Sequence, residues 1–371
     1  MKDYYKELKI NKFRGIKNLE IRGLTDINLF FGDNNTGKTS ILEAVFAHSC
    51  GNNINALINN LLLKRQMGYF NSIYDFGENF INFFNKENNS FYNMDFSIET
   101  VNENNEKNNI NYKFIPSDVL EPLNDDYTNM NANKIDYNIN QELEKNKNQN
   151  QNVYLGNLEV KINNKKNVFK IHFPLNIPID KPFKSCVYHD ILDHRIPERT
   201  INIYAVLKRS NKMKEFIEKI QKIYPEVQDI EGIPLPSGVM KIYISLKNKR
   251  IPLSDFGDGF RRWYHIIGSM VLNPKSIHLI EEVDATFHPK SIPSFAETLF
   301  NYSKNYYNQI FMTSHSQEFL HIFLKTFKNK EFLDKNISIF TLKEINDELK
   351  ILKLTGIEAL KNIEKYNMEL R

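Results

Sequence analysis

FFGDNNTGKTSILEAV, residues 30–45, sets the first constraint on this chain. Gly32 to Thr39 fits the pattern G-x-x-x-x-G-K-[ST], with an apolar strand-like run before it and helical apolar spacing after it. Each residue type has a physical task. The glycines let backbone N–H groups turn inward around phosphate oxygens, and the start of the following helix adds its positive end. Lys38 neutralises β- and γ-phosphate oxygens in such a loop, and the Thr39 hydroxyl holds Mg2+. The stretch predicts a nucleoside triphosphate site made by Gly32, Asn34, Asn35, Thr36, Gly37, Lys38, Thr39 and Ser40. The plain alternative is a surface turn ahead of a helix.

A second stretch, LIEEVDATFHP at 279–289, sets two glutamates at the end of an apolar run. Carboxylates there are costly unless something compensates them. A phosphate loop supplies the compensation, because a strand beside the phosphate strand ends in a carboxylate that reaches the Mg2+ shell. Glu281 is expected to face that metal, and Glu282 to orient and polarise the attacking water. Aspartate is usual at the metal position, and Glu281 is longer by one methylene. Either it contacts the ion through a water or the helix sits slightly further out. A solvated pair at a strand end is the alternative.

Working outward, residues 1–31 alternate in period two, with Gly15 and Gly23 between the runs, and read as short strands joined by tight turns. Residues 80–155 change character: NKENNS, NENNEKNN and EKNKNQNQN are solvated low-complexity stretches between the strand-like YNMDFSIETV, INYKFI, VYLGNLEVKI and NVFKIHF. KMKEFIEKIQKIY places Met213, Phe216, Ile217, Ile220 and Tyr224 on one helical face, which Pro225 ends. His189, Asp190, Asp193 and His194 have a metal-like composition, yet their spacing shares no face of a helix or a strand. Arg261-Arg262-Trp263-Tyr264 reads as helix packing before it reads as a nucleic-acid contact.

The composition excludes some classes. The 371 residues are 41% hydrophobic with a formal net charge of +4, which is globular and too weakly basic to argue for nucleic acid alone. Cys50 and Cys186 form no framework, and no run approaches a membrane span or a leader's apolar core. A cytoplasmic protein without a membrane partner is expected.

Taken in order, these motifs resemble ABC-type ATPases of the RecF, SMC and Rad50 kind, most closely the OLD-like ATPases of the AAA15 group. ELKINKFRGIKNLEI resembles the opening strand pair, PLSDFGDGFRRWYHII the signature, LIEEVDATFHP the Walker B strand and D-loop, and IFMTSHSQEFL the switch-histidine strand. The resemblance implies an α/β P-loop head over residues 1–371, with N-terminal antiparallel strands and a β-rich Asn/Lys-rich insertion at 80–200. It implies ATP and Mg2+ as cofactors and two ATP molecules sandwiched between two protomers. Gly257, Asp258 and Gly259 would then meet the partner's γ-phosphate. The family pattern is Ser-Gly-Gly, so either Ser254 makes that contact or glycine has replaced the serine. Asp284 to His288 would be the D-loop, His315 the γ-phosphate contact and Gln66 the only Q-loop candidate by order, while Arg14 is a further group to watch near the nucleotide.

The resemblance further implies an ATPase that controls a separate effector or nuclease chain, with antiviral defence as the context. Only about 55 residues follow His315, too few for the TOPRIM nuclease of true OLD proteins. Two alternatives stay open: a RecF-like repair ATPase with DNA as partner, and a slow nucleotide-sensing scaffold that sequesters a partner.

Overall fold

Strict alternation at the start of the chain builds a hairpin. Strand β1 (Tyr5–Phe13) buries Leu8, Ile10 and Phe13, and β2 (Ile16–Arg22) buries Ile16, Leu19 and Ile21. They pair antiparallel with Leu8 opposite Ile21 and Phe13 opposite Ile16. The positive backbone angle of the turn falls on Arg14 (φ 51°) and not on Gly15. Strand β3 (Ile27–Phe31) is buried along its whole length, as expected of a strand covered on both faces. The computed structural model describes residues 3–33, 36–63, 73–84, 94–117, 153–173, 175–177, 179–236, 238–345 and 348–366. Asn34, Asn35 and Gln66, singled out above, lie outside them.

Helix α1 (Lys38–Cys50) follows the phosphate loop, then α2 (Ile54–Ile58) and α3 (Ile73–Ile81). The strand-like runs of the Asn/Lys-rich region become β4 (Met94–Asn102), β5 (Lys107–Pro116), β6 (Val153–Ile162) and β7 (Lys165–Phe173). Next come β8 (Cys186–His189), α4 (Pro197–Arg209), α5 (Met213–Gln221), β9 (Val227–Pro234), β10 (Met240–Leu246) and β11 (Arg250–Pro252). The last part holds α6 (Asp258–Leu272), β12 (Ile277–Ile280), α7 (Ile292–Tyr306), β13 (Gln309–Ser314) and α8 (Gln317–Thr326). It closes with α9 (Lys330–Asn336), β14 (Ile337–Ile345), β15 (Glu348–Thr355) and α10 (Gly356–Tyr366).

The chain forms two units. One comprises Met1–Lys6, Gly23–Leu42 and Ser185–Arg371; the other comprises Glu7–Arg22 and Glu43–Lys184. The first carries a six-stranded sheet in the order β15-β14-β3-β13-β12-β8 and a three-stranded antiparallel sheet β11-β10-β9. From β14 to β8 every pair in the large sheet is parallel, and only β15 is antiparallel. A parallel sheet brings its strand C-termini to one edge, where such folds bind ligands. One sequence expectation changes here: the carboxylate strand β12 is not beside the phosphate strand, because β13 stands between it and β3.

The second unit is a six-stranded sheet in the order β2-β1-β4-β5-β6-β7. The strands of the Asn/Lys-rich region thus extend the N-terminal hairpin's sheet. Its core is aromatic: Phe80 meets Phe114 edge-on at 4.9 Å, Phe13 meets Phe96 likewise at 4.9 Å, and Phe96 stacks on Tyr112 at 4.8 Å. Arg14 belongs to this unit, where it pairs with the buried Glu43 and lies 4.9 Å over the Phe83 ring.

Candidate functional site

The phosphate loop leaves the C-terminal end of β3 and closes on its own lysine. Lys38 is buried, and its ammonium donates to the carbonyl oxygens of Gly32, at 2.8 Å, and Asp33. Burial lowers its pKa from the ordinary lysine value, and the nearby Glu282, Asp33 and Asp284 oppose that shift. Gly32 (φ 151°) and Gly37 (φ 82°) hold backbone angles that other residues rarely adopt. A Cβ on Gly32 would also stand 2.9 Å from the Leu342 carbonyl oxygen. The Thr36 hydroxyl donates to the Asp33 carbonyl at 2.9 Å. Ser40 lies in the first turn of α1.

Glu281 and Glu282 leave β12 in different directions. The Thr39 hydroxyl donates to Glu281 Oε1 at 2.8 Å, and the Tyr188 hydroxyl is 3.4 Å from Oε2. Glu282 sits in the left-handed region (φ 43°), and its N–H is held by the Thr313 hydroxyl at 2.8 Å. A glutamate in that conformation carries backbone strain of order 1 kcal/mol, a feature that gathers at functional turns. Arg262, on α6, is 2% exposed and donates to the Glu281 carbonyl oxygen. Burial opposes its charge, and Asp284, Glu282, Asp190 and Glu281 support it. Its burial agrees with the packing expected from the sequence, while the contact with Glu281 was not foreseen. The available signal was a guanidinium flanked by Phe260, Trp263 and Tyr264, all of which the fold buries.

The donor set fits Mg2+. Adjacent oxygens of an octahedral shell with bonds of about 2.0–2.1 Å stand about 3 Å apart. The Thr39 and Glu281 oxygens, at 2.8 Å, have that spacing and the hard-oxygen chemistry. Among the described residues no group of three or more His, Cys, Asp or Glu could hold a metal, so the two oxygens would share the ion with phosphate and water.

The remaining candidates make other contacts. Gly257 is the N-cap of α6 in extended conformation (φ −57°, ψ 147°), and no side chain caps that helix start. Asp258 pairs with Arg195 and with Arg261 at 3.2 Å, and stands 3.4 Å from His194 Nε2. Burial alone would raise its carboxyl pKa, but Arg195, His194 and Arg261 outweigh that and hold it below the usual range. The Ser254 hydroxyl donates to Asp255 at 2.8 Å. Gly259 lies against the loop after β12: a Cβ there would meet the Thr286 carbonyl oxygen at 2.8 Å. His315, at the end of β13, stands 3.7 Å from Asp284 Oδ2. His288 is exposed and accepts the Lys290 N–H at 3.2 Å, starting a single 3-10 turn. The structure therefore brings Lys38, Thr39, Glu281, Glu282, Asp284 and His315 to the strand ends, and attaches Gly257–Gly259 to Arg195, Arg261 and the loop after β12.

His189 Nε2 stands 3.0 Å from His278 Nδ1, and Arg199 pairs with Asp193. No helix among the described residues is long and apolar enough to cross a membrane.

A family model described as "AAA domain, putative AbiEii toxin, Type IV TA system" matches residues 27–321. An "ATP/GTP phosphatase" of Helicobacter pylori is 25% identical over 361 residues, 91% of this chain and 92% of that protein. A "DNA replication and repair protein RecF" of Coxiella burnetii is 44% identical over 48 residues, 13% of each chain. The solved "SmcHead bound to the C-winged helix domain of ScpA" superposes with a TM-score of 0.55 at 13% identity, over 96% of this chain and 99% of that one. The fold is thus that of a P-loop, ABC-type head, as the motifs implied.

Proposed function

Because the chain belongs to the AAA-domain family whose model spans residues 27–321, we propose that it is an ABC-type ATPase head that hydrolyses ATP between two copies of itself. The observation that carries this reading is the contact of the Thr39 hydroxyl with Glu281, 242 residues away in sequence and 2.8 Å in space. Lys38 neutralises phosphate charge, Thr39 and Glu281 hold Mg2+, and Glu282 takes the proton of the attacking water. The bound Mg2+ supplies further charge neutralisation at the phosphate oxygens. His315 donates to the γ-phosphate without acting as the base. Gly32, Thr36, Gly37 and Ser40, with Asn34 and Asn35, complete the phosphate cradle. Ser254, Gly257, Asp258, Gly259 and His288 serve the site of the partner copy. The relative described as an ATP/GTP phosphatase supports nucleotide hydrolysis. The choice of adenine and the OLD-like, AAA15 assignment rest on the sequence resemblance.

The head acts through a second chain, an effector or nuclease, in antiviral defence; the family description, with its toxin and Type IV TA system, supports a paired arrangement. Two other readings keep a specific support each. The RecF match supports a DNA-bound repair ATPase. The engagement of Asp258 and of Ser254 supports a slow sensor that sequesters its partner.

The test is Glu282→Gln, read by ATP turnover and by solution mass with and without ATP and Mg2+. Turnover should fall by about 10²–10⁴, the usual worth of a general base. The mass should double with ATP. A mass indifferent to ATP would put the sensor reading first.

A further inference from the structure

A cavity of about 260 Å³ lies in the phosphate-loop unit beside the start of α6. Its lining contains Arg195, Lys241, Arg261 and His194 and no aspartate or glutamate. The floor is apolar, with Ile242 and Leu253 almost fully buried. The rim is therefore cationic over a dry base, which suits a ligand with one anionic end.

His194 supplies a second, independent observation. Its side chain is 1% exposed, it lines the cavity, and its Nδ1 has no hydrogen-bond partner. An unsatisfied buried nitrogen is costly, and native proteins leave few of them without a ligand or water to satisfy them. Burial also holds this imidazole below its usual pKa, so near neutral pH one ring nitrogen can accept and the other donate. Lys241 has the Tyr243 ring at 6.0 Å and no ion pair among the described residues. Arg195 and Arg261 already share Asp258, so their remaining N–H groups are oriented by that carboxylate.

We propose that this cavity binds a small amphipathic anion, a carboxylate or phosphate monoester on a short apolar body. Lys241 and Arg261 meet the anionic head, His194 Nδ1 makes a third polar contact, and Ile242 and Leu253 receive the body. The volume lies just below the roughly 300–1,000 Å³ of ordinary ligand pockets, which limits the ligand to a small one. An anion at this place competes with Asp258 for Arg195 and Arg261, so occupancy is felt at the first turn of α6. The binding itself does not depend on ATP hydrolysis.

Titration calorimetry on the full chain tests the idea with two probes, phenyl phosphate and hexanoate. Inorganic phosphate and benzyl alcohol serve as the head alone and the body alone. At least one probe should bind, about tenfold or more tighter than either control, and which one binds identifies the head. Lys241→Glu, on a partly exposed strand position, should weaken that probe at least about tenfold with the fold intact by circular dichroism. Lys38→Ala should leave it unchanged, which separates this cavity from the phosphate loop. Absence of binding by both probes would overturn the proposal. So would equal binding of inorganic phosphate, wild-type affinity in Lys241→Glu, or loss of affinity in Lys38→Ala.

Discussion

Two helices that start in the phosphate-loop unit, α1 and α6, begin directly after a glycine, Gly37 and Gly257, and they differ in charge. The first turn of α1 carries no acid and starts with Lys38, whose ammonium stays beside the loop's own carbonyl oxygens. The first turn of α6 carries Asp258, already shared among Arg195, Arg261 and His194. Both starts present unsatisfied N–H groups and the positive end of a helix dipole. Only α1 leaves that potential for an outside anion. At α6 a phosphate has to compete with a resident carboxylate, and the nearby cations soften that competition. A glycine at a helix start is therefore not enough to define an anion site; the neighbouring charges decide.

Four changes would break or sharpen this contrast. Lys38→Ala should have the largest effect, lowering nucleotide affinity about a hundredfold through loss of a buried charge-assisted contact. Equilibrium binding of ATP measures it, and an affinity within a factor of three of wild type would remove α1 from the site. Acid comes second, through the strand that delivers Glu281. His278 on β12 is fully buried, and its pKa is lowered by burial from 6.5 to about 4. Between those values the unfolded chain binds the proton and the folded chain does not. Stability is therefore complete above pH 6.5 and falls as pH drops toward 4, by about 3 kcal/mol for this group. Urea melts at pH 7 and pH 4.5, repeated on His278→Gln, should show that part of the slope disappearing.

At the second helix start, Gly259→Ala should cost about 1–3 kcal/mol, because its Cβ would lie 2.8 Å from the Thr286 carbonyl oxygen and neither backbone can yield freely. Thermal melting would read it, and an unchanged midpoint would mean that the loop carrying Thr286 shifts without cost. The smallest effect, and opposite in sign, belongs to Gly257→Ser. A Cβ there meets nothing within 4 Å, and the backbone already has N-cap geometry. A gain of a few tenths of a kcal/mol is expected. On the proposed sandwich of two copies, the serine also supplies the first residue of the Ser-Gly-Gly pattern, and ATP-dependent pairing should tighten. A loss of stability would show that the α6 start needs glycine for another reason.

Much of this site could be read along the chain because its parts are short motifs. Lys38 and Thr39 sit in a pattern whose spacing has one physical purpose, and Glu281 and Glu282 close an apolar run. His315 ends another, at the strand edge where the sequence placed it. The remainder depended on neighbours in space. Nothing in HLIEE shows that β13 separates its strand from β3. Arg262 is buried, as the packing reading expected, but its acceptor, the Glu281 carbonyl, lies 19 residues on and left no local sign. Asp258, expected to meet a phosphate, also pairs with Arg195, 63 residues away. The turn expected at Gly15 places its positive φ on Arg14, whose guanidinium is held by Glu43 from α1.

The sequence by itself determined the phosphate loop, the paired carboxylates and the period-two strands, since each depends on local backbone freedom, charge and alternation within a few residues. Tertiary structure alone decided which strand lies between β3 and β12, which sheet takes β4–β7, and which cations hold Asp258. Those outcomes depend on hydrogen-bond ladders and ion pairs between residues tens to hundreds of positions apart, and local pattern carries no record of them.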